Sequence, residues 1–280
     1  MKLKQVPHEL LTEHVIQTLS NNYVIFVKEF IAHEPSLLKQ KCPQLSYDEV
    51  ITLRAFIIQN YGPPVNQIEA KHETIFTDLF ELNTNHIYEI YGPPGSGKSQ
   101  FCLTLTAMLS EQGQVFYIDT KNDFSSSRLK CILKNPTNCF NNIKVAKAFD
   151  IEEVQKVTYE LLANSNKMSN SKLLILDNIA SIVWPLFEEE NSSELFAAIG
   201  QLISNLRKIA FFYQMTIVIV NNTTNNENRP ALGKYFANVA NTRLFIQNCH
   251  QIVIEKSLNA SIRDSKVRVI IDENGMNRIN

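Results

Sequence analysis

No C-x-x-C pair occurs in this chain. Its five cysteines, Cys42, Cys102, Cys131, Cys139 and Cys249, are odd in number and widely spaced. That spacing excludes a zinc site of paired thiolates and a disulfide framework, and reduced thiols in an intracellular compartment are the expectation. The six histidines are scattered, without H-x-x-x-H spacing and a third ligand, so histidine metal sites are excluded as well. Charge of one sign is lacking too. A net charge of −1 supplies no overall basic field for nucleic acid, so any such contact must come from a local patch. Long apolar runs are missing. None follows Lys2 and Lys4 as a signal peptide would require, and the most apolar region, 195–220, is broken by Arg207-Lys208. It reads as a helix followed by a strand, with no membrane span. No internal repeat is present. Glycine is scarce, with 8 among 280 residues, yet Gly92, Gly95 and Gly97 crowd into one short stretch.

That stretch is the strongest signal present. Gly92-Pro93-Pro94-Gly95-Ser96-Gly97-Lys98-Ser99 fits the phosphate-loop pattern G-x-x-x-x-G-K-[ST] in full. The glycines let the backbone wrap so that successive N–H groups face phosphate oxygens. Lys98 reaches the β- and γ-phosphates, and the Ser99 hydroxyl can ligate a magnesium ion. A helix starting near Gly97 would aim its positive end at the same anion. The context agrees, with a β-prone run Ile87, Tyr88, Ile90, Tyr91 before the loop and a mostly buried helix with Phe101, Leu103, Leu105, Met108 and Leu109 after it.

Residues 1 to about 60 read as helices, with stripes at Leu10, Leu11, Val15, Ile16, Leu19 and at Val24, Val27, Phe30, Ile31. Ser46-Tyr47-Asp48-Glu49 is a capping-box start for a third helix. "YGPPVNQIEAKHE", 61–73, breaks the pattern. From about Asn83 onward strands and helices alternate, with strands expected at 86–91, 114–120, 143–148, 173–177, 216–221, 243–247, 250–255 and 267–272. The expectation is an α/β fold with a largely parallel, buried sheet and an antiparallel end. Its parts are a helical N-terminal domain, 1–62, a linker, 63–82, and a nucleotide-binding core, 83–280. The asparagine-rich "NNTTNNEN", 221–228, reads as a solvated loop. Leu173-Leu174-Ile175-Leu176-Asp177 is an apolar strand delivering one carboxylate, as a Walker B element does for magnesium. A helix-capping aspartate would leave the same pattern.

Taken together, "GPPGSGKSQFCLTL", "VFYIDTKNDFSSSRL", "KVAKAFDIEEV", "LLILDNIASIVWPLF" and "PALGKYFANVANTRL" resemble the ATPase core of the RecA family. Within it they resemble the eukaryotic Rad51 recombinases and their paralogues, the D-type paralogue matching best. "KCPQLSYDEVITLRAFI" resembles that family's small N-terminal domain. The resemblance spans nearly the whole chain and is poorest in the linker. It implies a RecA-like P-loop ATPase core, ATP and Mg2+ as cofactors, and a nuclear role in homologous recombination and DNA repair. Partners would be other recombinase paralogues and, weakly, single-stranded or branched DNA, with no membrane. Nucleotide binding then falls to Gly92, Pro93, Pro94, Gly95, Ser96, Gly97, Lys98, Ser99 and Gln100. Asn222 sits where the family has a polar sensor of the γ-phosphate, and the metal set is Ser99 and Asp177.

The chain departs from active recombinases at the water-orienting glutamate, which the resemblance places at Lys121 in "IDTKNDF". A lysine cannot take a proton from water at neutral pH unless its pKa is strongly depressed. Read without the resemblance, it is an ordinary exposed loop lysine, and no catalytic residue is assigned. Asp119 is expected to point along its strand, and Asp123 lies two residues away. The first DNA-binding loop of the family corresponds to the acidic "WPLFEEENSSE", 184–194, where Trp184 could stack a base or simply pack. The second, 222–243, carries Arg229, Lys234 and Arg243 against Glu227. The linker lacks the F-x-x-A hook that grips a neighbouring subunit. The receiving strand Ala146-Lys147-Ala148-Phe149 is kept, and packing alone accounts for it equally well. Two alternatives remain: a self-sufficient DNA-stimulated ATPase, which needs a catalytic carboxylate and a basic face, and a small-molecule kinase, for which no Arg-rich lid segment exists.

Overall fold

The computed structural model describes residues 2–33, 35–61, 73–134, 136–164, 168, 170–187, 192–224, 227–257 and 262–279. The chain divides into two compact units, 1–70 and 71–280.

The first unit's described residues form a short 3-10 turn, Leu3–Gln5, and the helices α1 (Glu13–Asn21), α2 (Val27–Ala32), α3 (Pro35–Lys41) and α4 (Tyr47–Tyr61). Local chemistry sets their ends. The Thr12 hydroxyl accepts from the Val15 N–H, opening α1. At α4 the expected capping box forms: Ser46 Oγ accepts from the Glu49 N–H at 3.2 Å, and Glu49 Oε2 accepts from the Ser46 N–H at 2.7 Å. Arg54 donates to the carbonyls of Ile31 and His33, tying α4 to the end of α2. Leu19, Phe30, Leu38, Val50, Leu53 and Ile57 share the core of this unit. Helix α3 is too short to carry an apolar stripe, but Pro35 marks its first turn.

The second unit opens with a ribbon of β1 (Thr74–Phe76) and β2 (Glu81–Asn83), followed by β3 (His86–Gly92), α5 (Lys98–Ser110) and β4 (Gln114–Asp119). Then come α6 (Ser126–Ile132), α7 (Pro136–Asn142), β5 (Ile143–Lys147), α8 (Ile151–Ala163), β6 (Ser171–Asp177) and α9 (Ile179–Val183). The chain continues through α10 (Ser192–Tyr213), β7 (Thr216–Thr224), β8 (Glu227–Pro230), α11 (Gly233–Phe236), β9 (Thr242–Asn248), β10 (Gln251–Lys256), β11 (Lys266–Asp272) and β12 (Gly275–Ile279). The main sheet runs β12-β11-β10-β9-β3-β7-β6-β4-β5. Strands from β9 to β5 in that order are parallel, and β10 to β12 add antiparallel to one end.

Period-2 alternation divides each central strand between two cores. Ile217 and Ile219 face α8 and α10 with Leu174, Leu176, Leu202 and Leu206, while Val218 and Val220 face α5 with Leu173, Ile175, Phe101 and Leu105.

Three expectations need correction. The segment read as linker through residue 82 includes β1 and most of β2, because Ile75 and Leu82 are buried against the α5-side core; residues 62–72 lie outside the described residues. The asparagine-rich stretch is not simply a loop. Strand β7 continues through Thr224 and pairs with β8, residues 225 and 226 lying outside the described set. Asn221 within it is fully buried, donating to Glu89 Oε1 and to the Ala231 carbonyl. Strand β12, unforeseen, pairs with β11 across the turn at 273–274. Among the described residues no helix is long and apolar enough to cross a membrane.

Candidate nucleotide site

Parallel pairing brings the ends of four strands to one level. Gly92 on β3 is in register with Asn222 on β7, and Asp119 on β4 with Asp177 on β6. A crevice at the carboxyl ends of parallel strands is where this class of sheet holds ligands. Here it is a cleft of about 500 Å³ lined by Pro94, Gly95, Gly97, Lys98, Ser99, Gln100 and Asn222, joined by Lys121, Asp123 and Asn178. Gly92, Pro93 and Ser96 form the turn behind it, and Asp177 is buried beneath, 2% exposed.

The loop needs its glycines. Gly95 and Gly97 have φ of 75° and 102°, and a Cβ on Gly92 would lie 2.2 Å from the Ile246 carbonyl oxygen. Gly97 caps α5, whose first residue is Lys98. The Lys98 ammonium donates to the carbonyls of Gly92 at 2.7 Å and Pro93 at 2.9 Å, which holds it over the loop. Burial, and then the nearby Lys121 ammonium, lower its pKa to about 8 against the pull of Asp177.

Asp177 is fixed by two donors on one oxygen: the Ser99 hydroxyl reaches Oδ2 at 3.0 Å and the Tyr117 hydroxyl at 2.8 Å. It does not cap a helix. Asn178 caps α9, accepting from the Ser181 N–H with Oδ1 and donating through Nδ2 to Asn222 Oδ1. Two buried polar atoms at the loop have no hydrogen-bond partner, Ser96 Oγ and Asp177 Oδ1. A hydroxyl in a phosphate loop and a carboxylate oxygen beside Ser99 are groups that a phosphate and a divalent cation would satisfy. The residues present therefore fit a magnesium nucleotide, with the loop and Lys98 toward the phosphates and Ser99 and Asp177 toward the ion. No cluster of three metal-ligating side chains occurs among the described residues.

Lys121 is not an ordinary exposed loop lysine. Its side chain is 29% exposed, and its ammonium lies 3.1 Å from Asp123 Oδ2 and 3.6 Å from Asp177 Oδ1. Burial would lower its pKa, but Asp177 and Asp123 outweigh that and raise it, so it remains a cation. Asp119 is spent on the turn after β4, where its carboxylate accepts from the backbone N–H groups of Lys121, Asp123 and Phe124. Asp123, 59% exposed, is paired through Oδ2 with Lys121.

Three supporting residues were not foreseen. Tyr117 lies on the α5 face of β4, one strand from Asp177 in the sheet; its period-2 relation to Asp119 was the available signal. Asn178 is visible only as a helix N-cap. Arg128 on α6 donates Nε to Gln100 Oε1 at 2.8 Å and its guanidinium N–H groups to the carbonyls of Asp272 and Glu273, so it clamps Gln100 from the side. The expected DNA contacts fare differently. Arg243 is engaged within the sheet, its Nε donating to the fully buried Glu89. Trp184 is 51% exposed at the end of α9, and the acidic residues 188–190 lie outside the described residues.

The Rad51 family model matches residues 75–277, from β1 to β12. The chain is 27% identical over 271 residues to the DNA repair protein RAD51 homolog 4 of Bos taurus, covering 85% of this chain and 82% of that protein. It is 26% identical to the DNA repair protein RAD51 homolog 2 of Homo sapiens over 80% of this chain and 67% of that one. It is 31% identical to the DNA repair and recombination protein RadB of Methanocaldococcus jannaschii over 48% of this chain and 64% of the other. With the phosphate loop, the buried carboxylate and the strand order all inside the matched span, the chain belongs to the Rad51 family.

Proposed function

We propose that this chain is a recombination mediator that binds ATP with Mg2+, holds it far better than it hydrolyses it, and acts in homologous recombination and double-strand break repair as one part of a nuclear assembly of recombinase paralogues. The observation that carries this reading is the pairing of Lys121 with Asp177 and Asp123 beside an otherwise complete phosphate loop. Gly92 to Ser99 hold the phosphates, Ser99 and Asp177 the ion, and Gln100 and Asn222 complete the walls. Magnesium, when bound, neutralises charge on the β- and γ-phosphates. The position that should hold a general base is a cation, and general-base catalysis contributes about 10²–10⁴-fold to such a step. Turnover is therefore slow.

The outer edge of the sheet supports the assembly role. Among the described residues strand β5 has no partner on its far side, and Val145 on it and Phe149 just after it are 41% and 55% exposed. A neighbouring paralogue can add a segment along this edge. Ala148 belongs to the core, 0% exposed, and so does not receive that segment as the sequence suggested; Val145 and Ala146 do. With Arg243 paired internally, the second loop has one cation fewer for DNA, and binding to single strands is weak and salt-sensitive.

The test is ATP binding and single-turnover hydrolysis on the purified chain. Slow hydrolysis that Lys121→Ala changes little at saturating ATP, together with binding that Lys98→Ala weakens, is the expected result. Turnover comparable to an active recombinase would show that another residue supplies the base.

A further inference from the structure

Two ammonium groups line one cleft. Lys98 is held by backbone carbonyls at the loop, while Lys121 is held by Asp123, two residues on, and by Asp177 on the neighbouring strand. Asp177 spends one oxygen on the Ser99 and Tyr117 hydroxyls, and its other oxygen, without a hydrogen bond, has the Lys121 ammonium as its nearest cation. The two carboxylates and two ammoniums at the cleft cancel. A carboxylate at position 121 would instead leave three acids against one base, a site that holds polyphosphate only with a divalent ion to bridge the charges. A lysine is a flexible point charge with three donors, able to trade a carboxylate for a phosphate oxygen.

We propose that Lys121 is a built-in cation of the nucleotide site, which moves from Asp177 and Asp123 onto the phosphates of a bound nucleoside triphosphate and makes retention of that nucleotide only weakly dependent on divalent metal. The proposal rests on the nucleotide-binding reading above. It goes beyond the missing base, because it gives the substituted residue a task.

The experiment is calorimetric titration of the full chain with a non-hydrolysable ATP analogue, once with magnesium chloride and once with EDTA. Wild type should lose less than about tenfold in affinity when the metal is removed. Lys121→Gln, lacking one charge-assisted contact, should bind modestly more weakly with magnesium and lose about 10–100-fold more than wild type in EDTA. Lys121→Arg should restore much of that difference. Equal metal dependence in wild type and Lys121→Gln would overturn the proposal. If Lys121→Gln does not fold, as judged by its melting curve, the wild-type ratio decides, and a wild-type loss beyond about a hundredfold in EDTA overturns it. Absence of binding even with magnesium would instead overturn the nucleotide-binding reading itself.

Discussion

Lys98 and Lys121 share a cleft in opposite electrostatic surroundings. Lys98 faces carbonyls and another cation, and burial draws its pKa down to about 8, whereas Lys121 sits between two carboxylates. Removing the Lys98 side chain deletes a charged donor, and Lys98→Ala should weaken ATP binding by about 10–100-fold, measured by calorimetry. A second charged pair lies deeper. Glu89 is 0% exposed within β3 and is held by Arg243 Nε at 2.6 Å and by Asn221. Glu89→Ala strands a buried guanidinium and should destabilise the second unit by about 3–5 kcal/mol in urea unfolding, while the apolar pairing of β3 stays intact. A loss under about 1 kcal/mol would mean that water reaches the pair. The phosphate loop was legible in the sequence because its chemistry is contiguous and each position has a local reason. The pairing of Lys121 with Asp177 was not, because it depends on β4 and β6 lying side by side. The same holds for Glu89, whose partners come from β7 and β9.

At the scale of elements, β5 is the terminal strand of the sheet among the described residues and carries exposed apolar side chains, the combination that strand addition uses. Val145→Glu should therefore reduce capture of the paralogue that docks there and leave the melting temperature nearly unchanged. Ala148→Glu, by burying a carboxylate among Ile118, Ile151 and Val154, should lower the melting temperature instead. If Val145→Glu keeps every partner in co-purification, the edge is not the docking strand. In the helical unit, the reciprocal bonds between Ser46 and Glu49 predict that Ser46→Ala costs about 1 kcal/mol in that unit's unfolding. Strands with dense β-branched or aromatic runs were readable, as at 216–221. Strand β12, "GMNRI", has no such run; it is held by its ladder with β11 and by a close approach to α5, where a Cβ on Gly275 would lie 2.6 Å from Thr104 Oγ1 and the Met276 N–H donates to that same hydroxyl. Such contacts leave no trace in a hydropathy pattern.

Across the whole molecule, among the described residues, the core of the helical unit contains none beyond Ile57, and the cores of the α/β unit contain none before Ile75. Each unit therefore carries its own apolar interior, and a fragment from residue 71 onward should fold and bind ATP by itself. Saturating it with nucleotide at a hundred times the dissociation constant should stabilise it by about 2.7 kcal/mol, read as a rise in melting temperature. A fragment that aggregates or ignores nucleotide would show that the α/β unit does not fold by itself. The clamp of Arg128 has a practical consequence for anyone handling this protein. Through it the β11–β12 turn grips Gln100, and β12 lies along α5, so the final strand buttresses the wall of the cleft. Affinity tags, fluorescent reporters and surface-coupling chemistry attached there would pull on the nucleotide grip, and a reporter dye beside Asn274 would register ATP arriving through the guanidinium.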